Sequence, residues 1–178
     1  MASDTRDRIL DALETLLLDV GVTQVTLEAV AGVAGVSKGG LLYHFPSKES
    51  LLASMVRRLG ERSDQYLADA VAQGRTVSET YLQSPIGEGA PEISIYRSML
   101  ASMRSADGQH DEVQQAIADV MRSWDAGLLA EFDDPVQAEI VRLAGDGLYL
   151  AALLGLPDPD PDLHRRVVHR LLGTDPAN

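Results

Sequence analysis

The chain has 178 residues, 45% of them hydrophobic and only 4% aromatic, and a formal net charge of −12. That length suits one compact body or a small head fused to a larger one, with a core filled by Leu, Val and Ala. With no cysteine it has no disulfide framework, no thiolate metal site and no cysteine nucleophile, and so strong an anion repels nucleic acid unless its few cations gather where the phosphates lie.

In chain order, nearly everything reads as helix. Asp4, Arg6, Asp7 and Arg8 come before any apolar run, which is not the pattern of a signal peptide. Residues 4–20 then place Ile9, Leu13, Leu16, Leu17 and Val20 on one face, and Gly21 stops the segment. Thr26 is an N-cap for a short helix carrying Leu27, Val30 and Ala31, which Gly35 breaks. Ser37 caps the next helix, ending near Tyr43. Pro46 forbids its continuation, and Ser47 caps a long helix that runs to about Gln73. A shorter element follows near 77–84, then a Pro/Gly-rich loop over 84–91. Further helices are predicted near 92–105, 110–132 and 135–156, with a rigid Pro-Asp-Pro-Asp-Pro connector at 157–161 and a last helix over 162–172. The fold expected is all-α: a three-helix head, a long helix and a helical body, about nine helices in all, with domains at 1–47 and 48–178.

The charge is uneven along this order. Residues 1–50 hold four cations and seven anions, net −3, whereas residues 37–62 hold Lys38, Lys48, Arg57, Arg58 and Arg62 against Glu49 and Glu61, net +3. Both lysines of the chain fall between Thr26 and Leu51. That stretch has the form of a helix-turn-helix: Gly35 where a tight turn wants φ positive, Ala31 and Ala34 where two helices cross, and Val36 and Leu41 turned inward. The end offered to the major groove is Ser37-Lys38-Gly39-Gly40, whose glycines let the backbone approach closely. Free N–H groups at helix starts attract phosphate, and three starts lie close together after Thr26, Ser37 and Ser47. Tyr43 and His44 add donors. Lys48 opposes the dipole of its own helix, a placement easier to explain with an anion opposite it. Of the side chains here, Lys38 and Ser37 reach base edges, so base readout is thin.

The run from Ala31 through Ser37-Lys38-Gly39-Gly40-Leu41-Leu42-Tyr43-His44-Phe45-Pro46 to Lys48 and Leu51 resembles the tetracycline-repressor (TetR) family of bacterial transcriptional regulators. The family pattern covers about residues 8–54. The resemblance implies a homodimeric repressor that binds a palindromic double-stranded operator and is released by a small-molecule inducer. Carried over, Thr26, Ser37, Lys38, Gly39, Gly40, Tyr43, His44 and Lys48 would touch DNA, mostly at phosphates. The family often has tyrosine where this chain has Leu42, which packs or meets a thymine methyl instead.

The resemblance also implies an inducer pocket in the body. Aromatic and methionine side chains suit a small apolar or aromatic ligand. The residues nominated are Met55, Tyr66, Tyr96, Met99, Met103, Met121, Trp124 and Tyr149, with Tyr81 and Phe132 beside them. Asp146, on an apolar helix, is either a polar anchor there or at a helix-pair edge. The segment 140–154 is apolar nearly all round, the mark of a buried helix. Ala144, Gly147, Leu148, Ala151 and Leu154, with Val167 and Leu171 of the last helix, make a four-helix dimer interface.

Other classes find little support. There is no Gly-x-Ser-x-Gly elbow or phosphate loop, and His164 and His169, five apart, face different directions on a helix, so no enzyme, cofactor or metal is expected. The Asp-Pro alternation at 158–162 lacks the glycine and distal glutamate of a calcium loop. The longest apolar stretch, Leu148 to Leu154, falls far short of the roughly 18 residues that span a bilayer. A cytoplasmic protein that binds no membrane is therefore expected. The alternative to a regulator is a helical scaffold whose head does not function.

Overall fold

The computed structural model describes residues 2–83, 95–96 and 111–174. Among these it contains eight helices and no strand. They are α1 (Ala2–Val20), α2 (Leu27–Ala34), α3 (Lys38–His44), α4 (Lys48–Ala72), α5 (Val77–Leu82), α6 (Asp111–Glu131), α7 (Pro135–Leu153) and α8 (Pro161–Leu172). Of the helix expected near 92–105, Ile95 and Tyr96 are described and helical, while the rest, with Met99 and Met103, lies outside the described residues.

The ends of these helices follow from their caps. Thr26, Ser37 and Ser47 each accept from the amide three residues on, at 3.1, 3.0 and 2.9 Å. Gly35 takes φ +66°, and its amide closes α2 onto the carbonyls of Ala31 and Gly32. Asp160 accepts from Leu163 N–H at 2.9 Å, so the proline-rich connector ends in an N-cap. Thr76 and Glu79 form a capping box that starts α5. The Glu131 carboxylate accepts from both the amide and the hydroxyl of Ser78 in the same turn.

Residues divide into two compact units, Met1–Glu61 with Pro91–Val120, and Arg62–Ala90 with Met121–Asn178. In the first, α1 packs on α2 and α2 on α3. Its core gathers Ile9, Leu13 and Leu17 of α1, Leu41 of α3, Phe45, and Leu51, Met55 and Leu59 of α4, closed by Ile95, Val113 and Ala116. Helices α4 and α6 approach closely here: a Cβ on Gly60 would sit 2.4 Å from a Val120 methyl. In the second unit α5 packs on α7 and α8, and α7 on α8, around Leu82, Leu128, Val141 and Val168. The tight approach in this unit is at Gly145, whose Cβ would meet the Tyr81 ring at 2.2 Å.

In the single chain the 140–154 segment is not covered all round. Leu143, Leu150 and Leu154 are 57, 54 and 66% exposed, because α5 and α8 cover only part of α7.

Candidate nucleic-acid interface

Three helix starts cluster in the first unit, and the side chains around them are sorted by their local bonds. Thr26 and Ser37 spend their hydroxyls as caps on Ala29 and Gly40, so their part in the head is to hold α2 and α3 at their starts. Each cap takes the third amide of its helix and leaves the first two without an intrahelical acceptor. Gly39 is exposed, and a Cβ there would find nothing nearer than the Ser37 hydroxyl at 4.0 Å. At Gly40 that distance falls to 3.2 Å, so a side chain there presses on the cap. Tyr43 is 85% exposed, far beyond what a core tyrosine shows, and its ring meets His44 edge-on at 5.2 Å. Leu42, at 36%, lies at the edge of the same surface.

The cations behave differently from one another. Lys38 reaches from α3 to Glu28 of α2, Nζ to Oε1 2.5 Å. Lys48 turns inward, donating to the carbonyls of Val22 and Val25 at 3.1 and 2.5 Å, and burial lowers its pKa. Its ammonium thus ties the loop before α2 to the start of α4 with two of three donors. Arg58 pairs with Asp11 of α1 at 2.5 Å. Arg6 lies over the Phe45 ring at 5.2 Å and donates to Ser54. Sequence reasoning treated the 37–62 cations as one charged tip, but part of that charge braces α1 and the loops. It also missed Glu28. An acid ten residues before Lys38 carries no one-dimensional signal of contact.

In the second unit Trp124 is 9% exposed and stacks tilted on Tyr81, with centroids 5.4 Å apart. The Tyr81 hydroxyl donates to Asp146 at 2.5 Å, and Asp146 accepts from Arg142 at 2.7 Å. Burial, then the Asp146 bond, hold the Tyr81 phenol well above its usual range. The Asp125 Oδ1 beside Trp124 is buried with no hydrogen-bond partner, and burial raises its carboxyl's pKa. Phe132 packs with Tyr81 on the core of the second unit, whereas Met55 is fully buried in the core of the first and Tyr96 packs on that core, and Met99 and Met103 lie outside the described residues. Tyr66 is 41% exposed under the Arg75 guanidinium. Met121 and Tyr149 are half-buried.

Residues 9–55 match the model for bacterial regulatory proteins of the tetR family, and residues 75–175 match the tetracyclin repressor-like C-terminal domain. The chain belongs to the TetR family of transcriptional regulators. It is 27% identical over 181 residues to the HTH-type transcriptional regulator BetI of Escherichia coli (strain SE11), covering 95% of this chain and 93% of BetI. It is 28% identical over 130 residues to the HTH-type transcriptional repressor KstR2 of Rhodococcus jostii (strain RHA1). That match takes in 73% of this chain but spans only 60% of KstR2. The crystal structure of the multidrug binding protein EbrR complexed with ethidium superposes with a TM-score of 0.71 at 25% identity, over 94% of this chain and 98% of EbrR. As a TetR-family member the chain is a DNA-binding transcriptional regulator and not an enzyme. No described helix is long and apolar enough to cross a membrane.

Proposed function

We propose that this regulator is a cytoplasmic repressor that binds a palindromic operator as a homodimer and leaves it when a small apolar or aromatic inducer enters the body. The observation that carries the DNA half of this reading is Tyr43. Tyr43 stands near the end of α3 with 85% of its surface exposed and its ring meeting His44 edge-on, which leaves the phenol open to a duplex. The contact set is Thr26, Ser37, Lys38, Gly39, Gly40, Tyr43, His44 and Lys48, and the DNA-binding domain ends at residue 47. Lys48 contributes through the one donor its two carbonyl partners leave over.

The homodimer reading rests on exposed aliphatic surface. Leu143 and Leu150 of α7 and Leu154 at its C-cap, with Leu163 and Val167 of α8, are 46–66% exposed. Gly147 lies in the same stretch of α7 with nothing within 4 Å of a Cβ built there, so a partner backbone can approach closely. A Leu-rich face of this kind is unfavourable in water and is relieved by pairing with its copy. Two reading helices must sit about 34–36 Å apart to enter successive major grooves, so pairing sets the operator half-site spacing. The ligand reading rests on the Trp124–Tyr81 pair and the polar groups around it. It is consistent with the ethidium found in EbrR.

Two measurements test this. If each subunit neutralises about three to four phosphates, duplex affinity falls with salt along a log–log slope of roughly −5 to −7. A slope near zero removes the docking geometry. Trp124 is the single tryptophan, so its fluorescence reports the body alone. Quenching by aromatic compounds that also release DNA supports the inducer reading, and release without any change at Trp124 moves the ligand elsewhere.

A further inference from the structure

Base readout by this head is thin if Lys38 acts alone, but Lys38 does not stand alone. Glu28 is the second residue of α2 and Lys38 the first of α3, and their side chains meet at 2.5 Å with 62 and 56% of their surfaces exposed. An exposed pair of this kind adds almost nothing to stability, so the fold does not require it. It does bring an acid to the tip of the head, where an anion opposes binding to a polyanion. Whatever surface Lys38 reaches, the Glu28 carboxylate is one hydrogen bond away.

That arrangement discriminates between two kinds of acceptor. A phosphate oxygen bonded to the Lys38 ammonium would lie within about 5 Å of Glu28 Oε1, given ordinary hydrogen-bond lengths. Two anions at that distance repel, and the gain from the lysine is largely cancelled. A base-pair edge in the major groove carries no such charge. Guanine presents two neighbouring acceptors, O6 and N7, and its cytosine presents the N4 amino donor beside them. An ammonium next to a carboxylate complements that order of groups. In an A·T pair the adenine amino group separates the two acceptors, so beside a carboxylate bonded to that amino group the ammonium keeps one acceptor instead of two.

We propose that Glu28 and Lys38 act as one unit that reads a G·C pair, the lysine donating to guanine and the glutamate accepting from cytosine, and that Glu28 makes the head selective by opposing the docking of Lys38 on phosphate. The inference rests on the DNA-binding reading of the head.

The test selects duplexes from a random library with the full-length protein and with Glu28→Gln. Each protein is then titrated with the recovered duplex, with the same duplex carrying A·T in place of each selected G·C pair, and with a shuffled duplex. The wild type recovers one constant G·C pair per half-site, and A·T there weakens binding about 10- to 100-fold. E28Q binds the shuffled duplex about 3- to 10-fold more tightly, and its penalty at that pair falls below about 5-fold. Lys38→Met loses preference at the same pair. Circular dichroism of E28Q matches the wild type, since the position is exposed. If E28Q keeps the wild-type ratio between recovered and shuffled duplex, or if no G·C pair is selected, the inference is overturned while the DNA-binding reading stands. If the wild type binds no duplex, both fall.

Discussion

Gly35 and Gly145 are the same residue put to opposite uses in the two units. Gly35 sits at φ +66° with nothing within 4 Å of where a Cβ would be, so its need is for a backbone shape. Gly145 is helical, and a Cβ there would strike the Tyr81 ring at 2.2 Å, so its need is for room. The contrast extends to the units around them. The head is defined by local rules: a cap at each helix start, a left-handed glycine, a proline. The body is defined by which helices happen to press together. Substitutions should therefore act on recognition in the head and on stability in the body.

The sharpest break of that comparison is the double replacement of Lys38 and Lys48 by alanine. Duplex affinity should fall about 100- to 1,000-fold, and the salt slope should lose roughly one unit for each phosphate contact removed. The single Lys48→Ala change should also lower stability by about 1–3 kcal/mol, since the Val22 and Val25 carbonyls lose their donor. Thermal unfolding beside a gel-shift titration separates the two effects. Unaltered affinity in the double variant would remove the proposed contact set of the head.

In the body, Gly145→Ala should cost about 1–3 kcal/mol by overpacking against Tyr81, lowering Tm by several degrees. DNA affinity at a temperature where the variant stays folded should hardly change. Gly39→Ala is its mirror image. The site has room, so helix propensity alone should raise stability by about 0.5–1 kcal/mol, while the added methyl should weaken DNA binding about tenfold by holding the backbone off the duplex. A Gly39→Ala protein that binds DNA as well as the wild type would show that the glycines of α3 serve no close approach.

The smallest effect is a pH dependence confined to the body. Burial raises the Asp125 carboxyl pKa, Arg142 opposes this, and Asp146 and Glu139 add to it. An acid whose folded-state pKa lies above its unfolded value binds its proton more readily when folded. Stability from this group is then greatest at acid pH and declines as pH rises from the ordinary aspartate range through the raised value. Asp125→Asn should flatten that decline and raise Tm near neutrality by about 2 °C. Equal pH profiles for the two proteins would show that the orphaned oxygen has no energetic consequence.

Much of the head was legible because its determinants are short-range. Thr26, Ser37 and Ser47 could be named as caps from their place before apolar periodicity, and Gly35 and Pro46 as stops, and each stands where expected. What could not be read was where long side chains end. Lysines 38 and 48 look alike on paper, yet one leans on Glu28 and the other is drawn into the carbonyls of its own head. In the body, Met55 and Trp124 both fit an aromatic-and-methionine stripe. Met55 fills the core of the first unit and Trp124 stacks on Tyr81 in the second.

The order of residues by itself determined the helices, the turn between α2 and α3 and the family, because capping, φ preference and three- to four-residue periodicity act over a few positions. Only the tertiary structure decided which charges pair, which glycines mark close crossings and which face of α7 stays uncovered. Those depend on side chains that meet across tens of residues of chain, as Glu131 meets Ser78 and Arg58 meets Asp11, and no local pattern encodes them.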